Sequence, residues 1–336
     1  MQTQLPGTSA PYLIRSGTGE HYALGGQLVS LIARPVDTGG LLEAAVVSGG
    51  RGAGVSAHRH TAGHEVLMVL EGGLDVRLGS AHRRLGPGDC ASVPAGTTHA
   101  YTLTGRITRL VQWSVGGALA AQVAAIGTRT DHATHDETAT KVIDLSRAGA
   151  SLQDLEPVAG DQPSSPLAAS DRSPADESPY VLECGAGERL LAGDQVFTFL
   201  ADRRNTRGAF ISLATVGPAG DRIPKHFHKL HTETFLCTHG RMTMWAGDDE
   251  VALGPGDFLH VPAGTVHSYR IDAAYTRFIG LLAPGLFEPF FRAMCEPFEG
   301  HVNPPIPGPV RFDRVMRQLG ELDLVLTEKP AGPPSH

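Results

Sequence analysis

The sequence predicts an all-β protein built as two tandem β-domains, each a barrel or sandwich, with a few short helices, and three observations carry that expectation. Its 336 residues are about twice the ~150 typical of one domain. Its 41 glycines and 24 prolines favour many short strands joined by tight turns over long helices. Most directly, the chain repeats itself: PYLIRSGTGEHYALGGQ from Pro11 and PYVLECGAGERLLAGDQ from Pro179 share Pro, Tyr, Gly, Gly, Glu, Gly and Gln at an offset of 168 residues. The same offset carries Gly52 to Gly220, His58 to His226, Glu65 to Glu233, Gly88 to Gly256 and His99 to His267.

The elements follow in chain order. VLMVLEGGLDVRLG reads as a buried run, a turn at Gly72 and Gly73, and a strand alternating at Leu74, Val76 and Leu78. TFLCTHGRMTMWAG is its counterpart in the second copy. LGPGD and VPAGT, present in both copies, bracket a short strand with two tight turns. Helical signals are confined to GALAAQVAAIG from Gly117, GLFEPFFRAMCE from Gly285 and a stretch over Phe312–Gln318. Residues 128–177 are rich in Asp, Ser, Ala and Pro and read as a mostly irregular linker, with a strand around 141–145. The expected organisation is thus a first β-domain over 1–127, the linker over 128–177, a second β-domain over 178–300 and an extension with a short helix over 301–336.

From 52 to 101 against 220 to 269, 18 of 50 positions are identical, eight of them Gly or Pro and four His or Glu. The copies therefore share turns and a polar constellation, while core positions drift, as Met68 to Leu236 and Val76 to Met244, because packing asks for apolar volume rather than a given residue.

Charge narrows the partners. Lys plus Arg number 28 against 35 Asp plus Glu, a net charge of −7, and no basic run follows a phosphate backbone, so nucleic acid is not an expected partner. No apolar stretch reaches the ~18 residues of a membrane span and the start lacks a signal-peptide pattern. Cys90, Cys184, Cys237 and Cys295 stand far apart without a C-x-x-C pair, which suits reduced thiols in the cytoplasm.

His58 and His60, two apart on a strand, project from the same face and can grip one ion. Glu65 follows a small-residue turn that can bring it back to that face, and His99 arrives from the strand after VPAGT. Three imidazoles and a carboxylate suit a divalent transition metal: iron, manganese, cobalt, nickel, copper or zinc. His226, His228, Glu233 and His267 repeat the set, giving about one metal per barrel. A lone H-x-H pair would more simply be exposed strand residues; two complete sets at identical spacing argue for metal. His64, His231, His239 and His260 oppose other residue types in the sister copy and are expected at the surface or in local hydrogen bonds. His132 and His135 belong to the acidic linker.

At these residues a resemblance becomes specific. Gly52, His58, His60, Glu65 and Gly72 match the spacing of the first cupin motif, and Gly88, Pro94, Gly96 and His99 that of the second; both copies carry both, apart from the terminal Asn that some cupins have after the last His, where Leu103 and Ile271 stand. The chain resembles a bicupin, two jelly-roll β-barrels in tandem. TETFLCTHGRMTMWAGDDEVALGPGDFLHVPAGTVHSYR, GLFEPFFRAMCEPFEGH, RFDR and the opening PYLIRSGTGEHY are similar to the bacterial quercetin 2,3-dioxygenase family. The resemblance implies a homodimeric, metal-dependent dioxygenase that cleaves a flavonol with dioxygen to a depside and carbon monoxide. It places the metal ligands on the two sets above. Glu65 and Glu233 are also candidate bases, since a carboxylate at the metal edge can take the flavonol's 3-hydroxyl proton. Two alternatives stay open: another bicupin enzyme, oxalate decarboxylase-like or acting on an enol or diketone by cleavage or isomerisation, or a non-catalytic small-molecule binder.

Overall fold

Along Leu74–Leu78 the side chains of Leu74, Val76 and Leu78 are buried while Asp75 and Arg77 are half-buried, the alternation of a strand with one face on a core. That pattern recurs through a computed structural model that describes residues 1–147, 152–159 and 165–328. Parts of the expected linker (148–151 and 160–164) and the end of the expected extension (329–336) lie outside the described residues.

Contacts divide the chain into two units. One is Gly17–Gly187 with Arg204–Arg207; the other is Met1–Ser16, Glu188–Arg203 and Gly208–His336. In the first, an eight-stranded sheet runs in the order Thr128–Arg129, Glu20–Leu24, Gln27–Ala33, Glu43–Gly49, Thr108–Val115, His64–Glu71, Cys90–Val93, Tyr180–Leu182. A second sheet contains Gly54–His60, His99–Leu103, Leu74–Leu78 and Ala81–Leu85 in that order, with short strands at its margins. Val29 and Leu31 from the first sheet meet Val76, Leu78 and Tyr101 from the second in one buried apolar cluster. In the other unit the larger sheet runs Tyr12–Ile14, Phe258–Val261, Thr232–His239, Thr276–Ala283, Ile211–Gly217, Gln195–Ala201, Glu188–Ala192, Glu296–Pro297. The smaller sheet runs Asp249–Leu253, Met242–Ala246, His267–Ile271, His226–Phe227, Val325–Leu326. The expected all-β, two-barrel architecture is what the chain adopts.

The opening strand of each copy joins the unit built mainly from the other copy. Tyr12 pairs with His260 and Ile14 with Phe258, and Tyr180 pairs with Ser92 and Leu182 with Cys90. All six residues of these two strands are buried, so each strand is part of a core rather than a surface arm.

The shared turn glycines have a steric cause. Gly72 sits at φ +77°, and a Cβ there would lie 2.2 Å from the Ile107 carbonyl oxygen. Gly240, its counterpart, has φ +74° and would meet the Tyr275 carbonyl oxygen at 2.2 Å. Only glycine fits either hairpin.

Helices occupy Leu119–Ile126, Glu288–Met294 and Phe312–Gln318, at all three places the sequence indicated, and a one-turn helix that it did not indicate covers Pro35–Thr38. None of the described helices is long and apolar enough to cross a membrane. The linker's strand is Val142–Ile143, which pairs in parallel with Gly54–His60; Leu155–Pro157 pairs antiparallel with the same strand. Segments of the linker thus extend the sheet that carries the first histidines.

Candidate metal centres

Gly54–His60 buries His58 and His60 and turns Arg59 outward, where its guanidinium pairs with Glu156 at 2.6 Å. His99 opens the neighbouring strand directly opposite His58, and Glu65 is the second residue of His64–Glu71. One nitrogen or oxygen from each of His58, His60, Glu65 and His99 lies within 4.8 Å of the others, and all four residues are buried. In the other unit His226 stands opposite His267, and His226, His228 and His267 meet the same distance criterion. Glu233 is beside them, its Oε2 3.1 Å from His267 Nε2 and its Oε1 3.4 Å from His228 Nε2. Every residue in the two expected sets is therefore brought into one of two clusters.

All six imidazoles are oriented the same way. The Nδ1–H groups of His58, His60 and His99 donate to the carbonyls of Ser56, Asp154 and Thr97 at 2.8, 3.1 and 3.0 Å. Those of His226, His228 and His267 donate to Pro224, Asp323 and Thr265 at 2.8, 2.6 and 2.9 Å. A carbonyl only accepts, so Nδ1 carries the proton and Nε2 keeps a lone pair turned inward. His60 Nε2 and His228 Nε2 are buried without a hydrogen-bond partner. Buried polar atoms are seldom left so, and a divalent cation is the group these donors fit.

The electrostatics agree. Burial alone would raise the Glu65 carboxyl, but His60 and His99 beside it hold it well below the usual carboxylate range. Glu233 is held down against burial by His228, His231 and His267. Burial pushes His58 down to about 3, with His99 adding to it, and burial with His267 does the same to His226. His60 resists burial because Glu65 faces it and rises to about 9. Each glutamate is a buried negative charge that histidine balances in the metal-free protein, as His60 does for Glu65, and that a bound cation would balance in its place.

Several contributing residues lie outside the motifs. Asp154 does more than offer its carbonyl to His60: its carboxylate accepts the N–H groups of Ala62 and Gly63 at 2.6 and 3.2 Å. Asp323 repeats this, taking His228 on its carbonyl and the N–H groups of Lys229, Leu230 and His231 on its carboxylate at 2.8, 3.0 and 3.1 Å. Both aspartates tie down the loop between the second histidine and the glutamate. The sequence signal is a shared Asp-Leu pair, 154–155 and 323–324, but its offset of 169 falls out of step with the repeat.

Gln112 is another such residue, its amide donating to Glu65 Oε1 at 2.7 Å. His231 is buried rather than at the surface. Its ring stacks on His228 with centroids 4.0 Å apart, its Nδ1 is 2.7 Å from Asp323 Oδ2, and its Nε2 is 3.5 Å from Glu233 Oε1. His64 and His260 are buried too and make local hydrogen bonds, His64 with Ser92 at 2.7 Å and His260 with Thr232 at 2.6 Å. Positions 64 and 232 correspond, as do 92 and 260, so one cross-strand pair is kept with its residue types exchanged. His239 is exposed, as is His132.

A cavity of about 1580 Å³ opens beside the second cluster, reached by His226, Glu233 and His267 and walled by Phe197, Phe235 and Phe278 among others. Such a space suits a flat apolar ligand with a few polar groups at one end.

Comparison with known proteins agrees with this geometry. The cupin domain pattern matches residues 46–111 and 212–275. Quercetin 2,3-dioxygenase of Bacillus subtilis (strain 168) is 44% identical over 324 residues, 95% of this chain and 96% of that protein. Quercetin 2,3-dioxygenase of Aspergillus japonicus is 29% identical over 121 residues, 34% of this chain and 35% of that protein. Among solved structures, oxalate decarboxylase from Bacillus subtilis superposes with a TM-score of 0.54 at 12% identity, covering 84% of this chain and 78% of that one, a likeness of fold alone. The chain belongs to the quercetin 2,3-dioxygenase family, among the cupins with two barrels in one chain.

Proposed function

We propose that this protein is a metal-dependent dioxygenase that cleaves the heterocycle of a quercetin-like flavonol with dioxygen, yielding a depside and carbon monoxide. One observation carries the proposal: a carboxylate and three imidazoles meet at an aromatic-walled cavity in a chain 44% identical, over 95% of its length, to a quercetin 2,3-dioxygenase. His58, His60, Glu65 and His99 would hold one divalent ion, and His226, His228, Glu233 and His267 a second. When bound, the ion supplies a positive charge that stabilises the flavonol oxyanion and a point at which substrate and dioxygen meet.

The chain's own residues do the rest. Glu233, ionised because of its histidine neighbours, accepts the proton of the flavonol's 3-hydroxyl at a carboxylate oxygen, which makes the ring electron-rich enough to react; Glu65, ionised in the same way, is the candidate base of the first barrel, where Gln112 narrows the space beside it. Backbone carbonyls take the Nδ1–H of each imidazole, so that the inward Nε2 is the nitrogen each ring turns to the ion. The phenylalanine walls bury the polyphenol rings and exclude water from the reacting carbons.

Oxalate chemistry is the weaker alternative, because a second carboxylate needs a cationic clamp. Arg59 points outward to Glu156, and Arg222, which lines the large cavity, is already paired with Glu328 at 2.8 Å. We further place the enzyme in a reducing cytoplasm as a homodimer; four cysteines without a disulfide among them and the family resemblance support that placement. The test is metal analysis of the purified protein combined with quercetin assays in air and under nitrogen. The proposal expects two metals per chain and loss of the flavonol absorbance only with dioxygen present. Loss at equal rates without dioxygen, or a protein that retains no metal, overturns it.

A further inference from the structure

At one inward-facing position the first barrel has a long side chain and the second has none. On Thr276–Ala283, Phe278, Gly280 and Leu282 face the large cavity, while the intervening Ile279 and Leu281 are buried on the opposite side of the strand. The corresponding strand of the first unit, Thr108–Val115, carries Leu110, Gln112 and Ser114 at these places. Gln112 fills the central position and holds Glu65 Oε1 with its amide at 2.7 Å. At Gly280 nothing fills it.

Backbone geometry does not demand that glycine. Its φ lies outside the left-handed region, and a Cβ would meet only Leu282 Cδ1 at 3.4 Å and the Thr234 carbonyl oxygen at 3.5 Å, both ordinary contacts. A mid-strand glycine weakens a sheet and gives up packing, so what it supplies here is empty space. The apolar interior is divided to match. Leu213, Phe197 and Leu282 belong to one buried cluster, Phe235, Tyr269 and Phe278 to another, and the cavity is lined from both. Tyr269 donates its hydroxyl to Gln195 at 2.7 Å, so the wall on that side offers an aromatic ring, not a free phenol.

We propose that Gly280 is a specificity-determining residue. The side chain it lacks is the slot that lets the flat ring system of a flavonol lie against Phe235 and Phe278 and bring its 3-hydroxyl to Glu233 in the C-terminal barrel. This rests on the flavonol reading above and names the residue that admits the substrate at that site.

The test is equilibrium binding of quercetin to the metal-loaded protein under nitrogen, where no turnover occurs, with bound metal and far-ultraviolet circular dichroism measured on the same samples. Gly280→Gln, which places the N-terminal barrel's residue in the C-terminal one, should keep its metal and its β signature and bind one flavonol fewer per chain than the wild type. Gly280→Ala, a smaller intrusion that the contacts above accommodate, should weaken that site about tenfold, and it decides the matter if the glutamine variant does not fold. Unchanged stoichiometry and affinity in the folded variants overturn the role of Gly280 and leave the dioxygenase reading intact. A wild-type protein that binds no quercetin overturns that reading and this proposal with it.

Discussion

Glu65 and Glu233 are buried carboxylates kept ionised by histidines, and each has an oxygen close to the inward nitrogen of its partner histidine, 3.2 Å for His99 and 3.1 Å for His267. Glutamine keeps an oxygen that can touch an ion and cannot accept a proton as a carboxylate does. The double variant Glu65→Gln, Glu233→Gln should therefore retain most of its metal and lose turnover by about 10²–10⁴-fold; metal content and kcat on one preparation check this. Asp323 acts one step further out. Asp323→Ala keeps the carbonyl that holds His228 but frees three backbone N–H groups, and the metal affinity of the C-terminal site should fall about 10–100-fold, as read by competition with a chelator. The two clusters of three histidines and a glutamate were legible because their spacing repeats. Asp154 and Asp323 were not, since one lies in the linker and the other in the extension, each brought in by strand pairing that spacing alone does not reveal. The exchange of His64 and Ser92 for Thr232 and His260 was hidden for another reason: hydrogen bonding conserves the pair and not the position of either member.

Turns and hairpins were the most readable elements, because Gly72 and Gly240 answer to a steric demand that no other residue meets. The opening strands were readable as strands and not as to which sheet they join, since an apolar run states that it needs a core and not whose. Tyr12–Ile14 completes the sheet of the C-terminal unit, where Leu13 is fully buried among Phe235, Leu259 and Val261. Leu13→Ala should therefore cost about 2–5 kcal/mol and destabilise the barrel that holds His226 and Glu233, although the substitution lies more than two hundred residues away in sequence. Urea unfolding, with retention of the C-terminal metal followed in parallel, measures it; a change confined to the N-terminal site would contradict the strand's placement. Segments of the linker are similarly tied to a barrel, with Val142–Ile143 and Leu155–Pro157 both paired to the strand bearing His58 and His60.

Across the whole molecule, burial sets an acid limit on the metal-free protein. His58 and His226 are pushed down to about 3 and His64 to about 4, in each case first by burial. In the unfolded chain these histidines protonate near the ordinary 6.5, so unfolding takes up protons below that pH. Their contribution is complete above 6.5 and is lost as pH falls toward the folded values, at about 1.4 kcal/mol per pH unit for each group. His60, raised to about 9 by Glu65 against burial, has the opposite sign: its contribution is complete below 6.5 and is lost as pH rises through about 9. Denaturation of chelated protein at pH 6.5, 5.8 and 5.0, above the range where carboxylates titrate, should show stability falling with each step, and a flat profile would contradict the buried neutral histidines.

The central claim concerns chemistry, and a mass balance tests it more directly than loss of substrate, because flavonols also decay in air. Metal-replete protein, quercetin and doubly labelled dioxygen should give one carbon monoxide per flavonol consumed, with both labelled atoms in the depside, and chelation should abolish the reaction. The absence of carbon monoxide and of doubly labelled ester above a metal-only control would contradict the account.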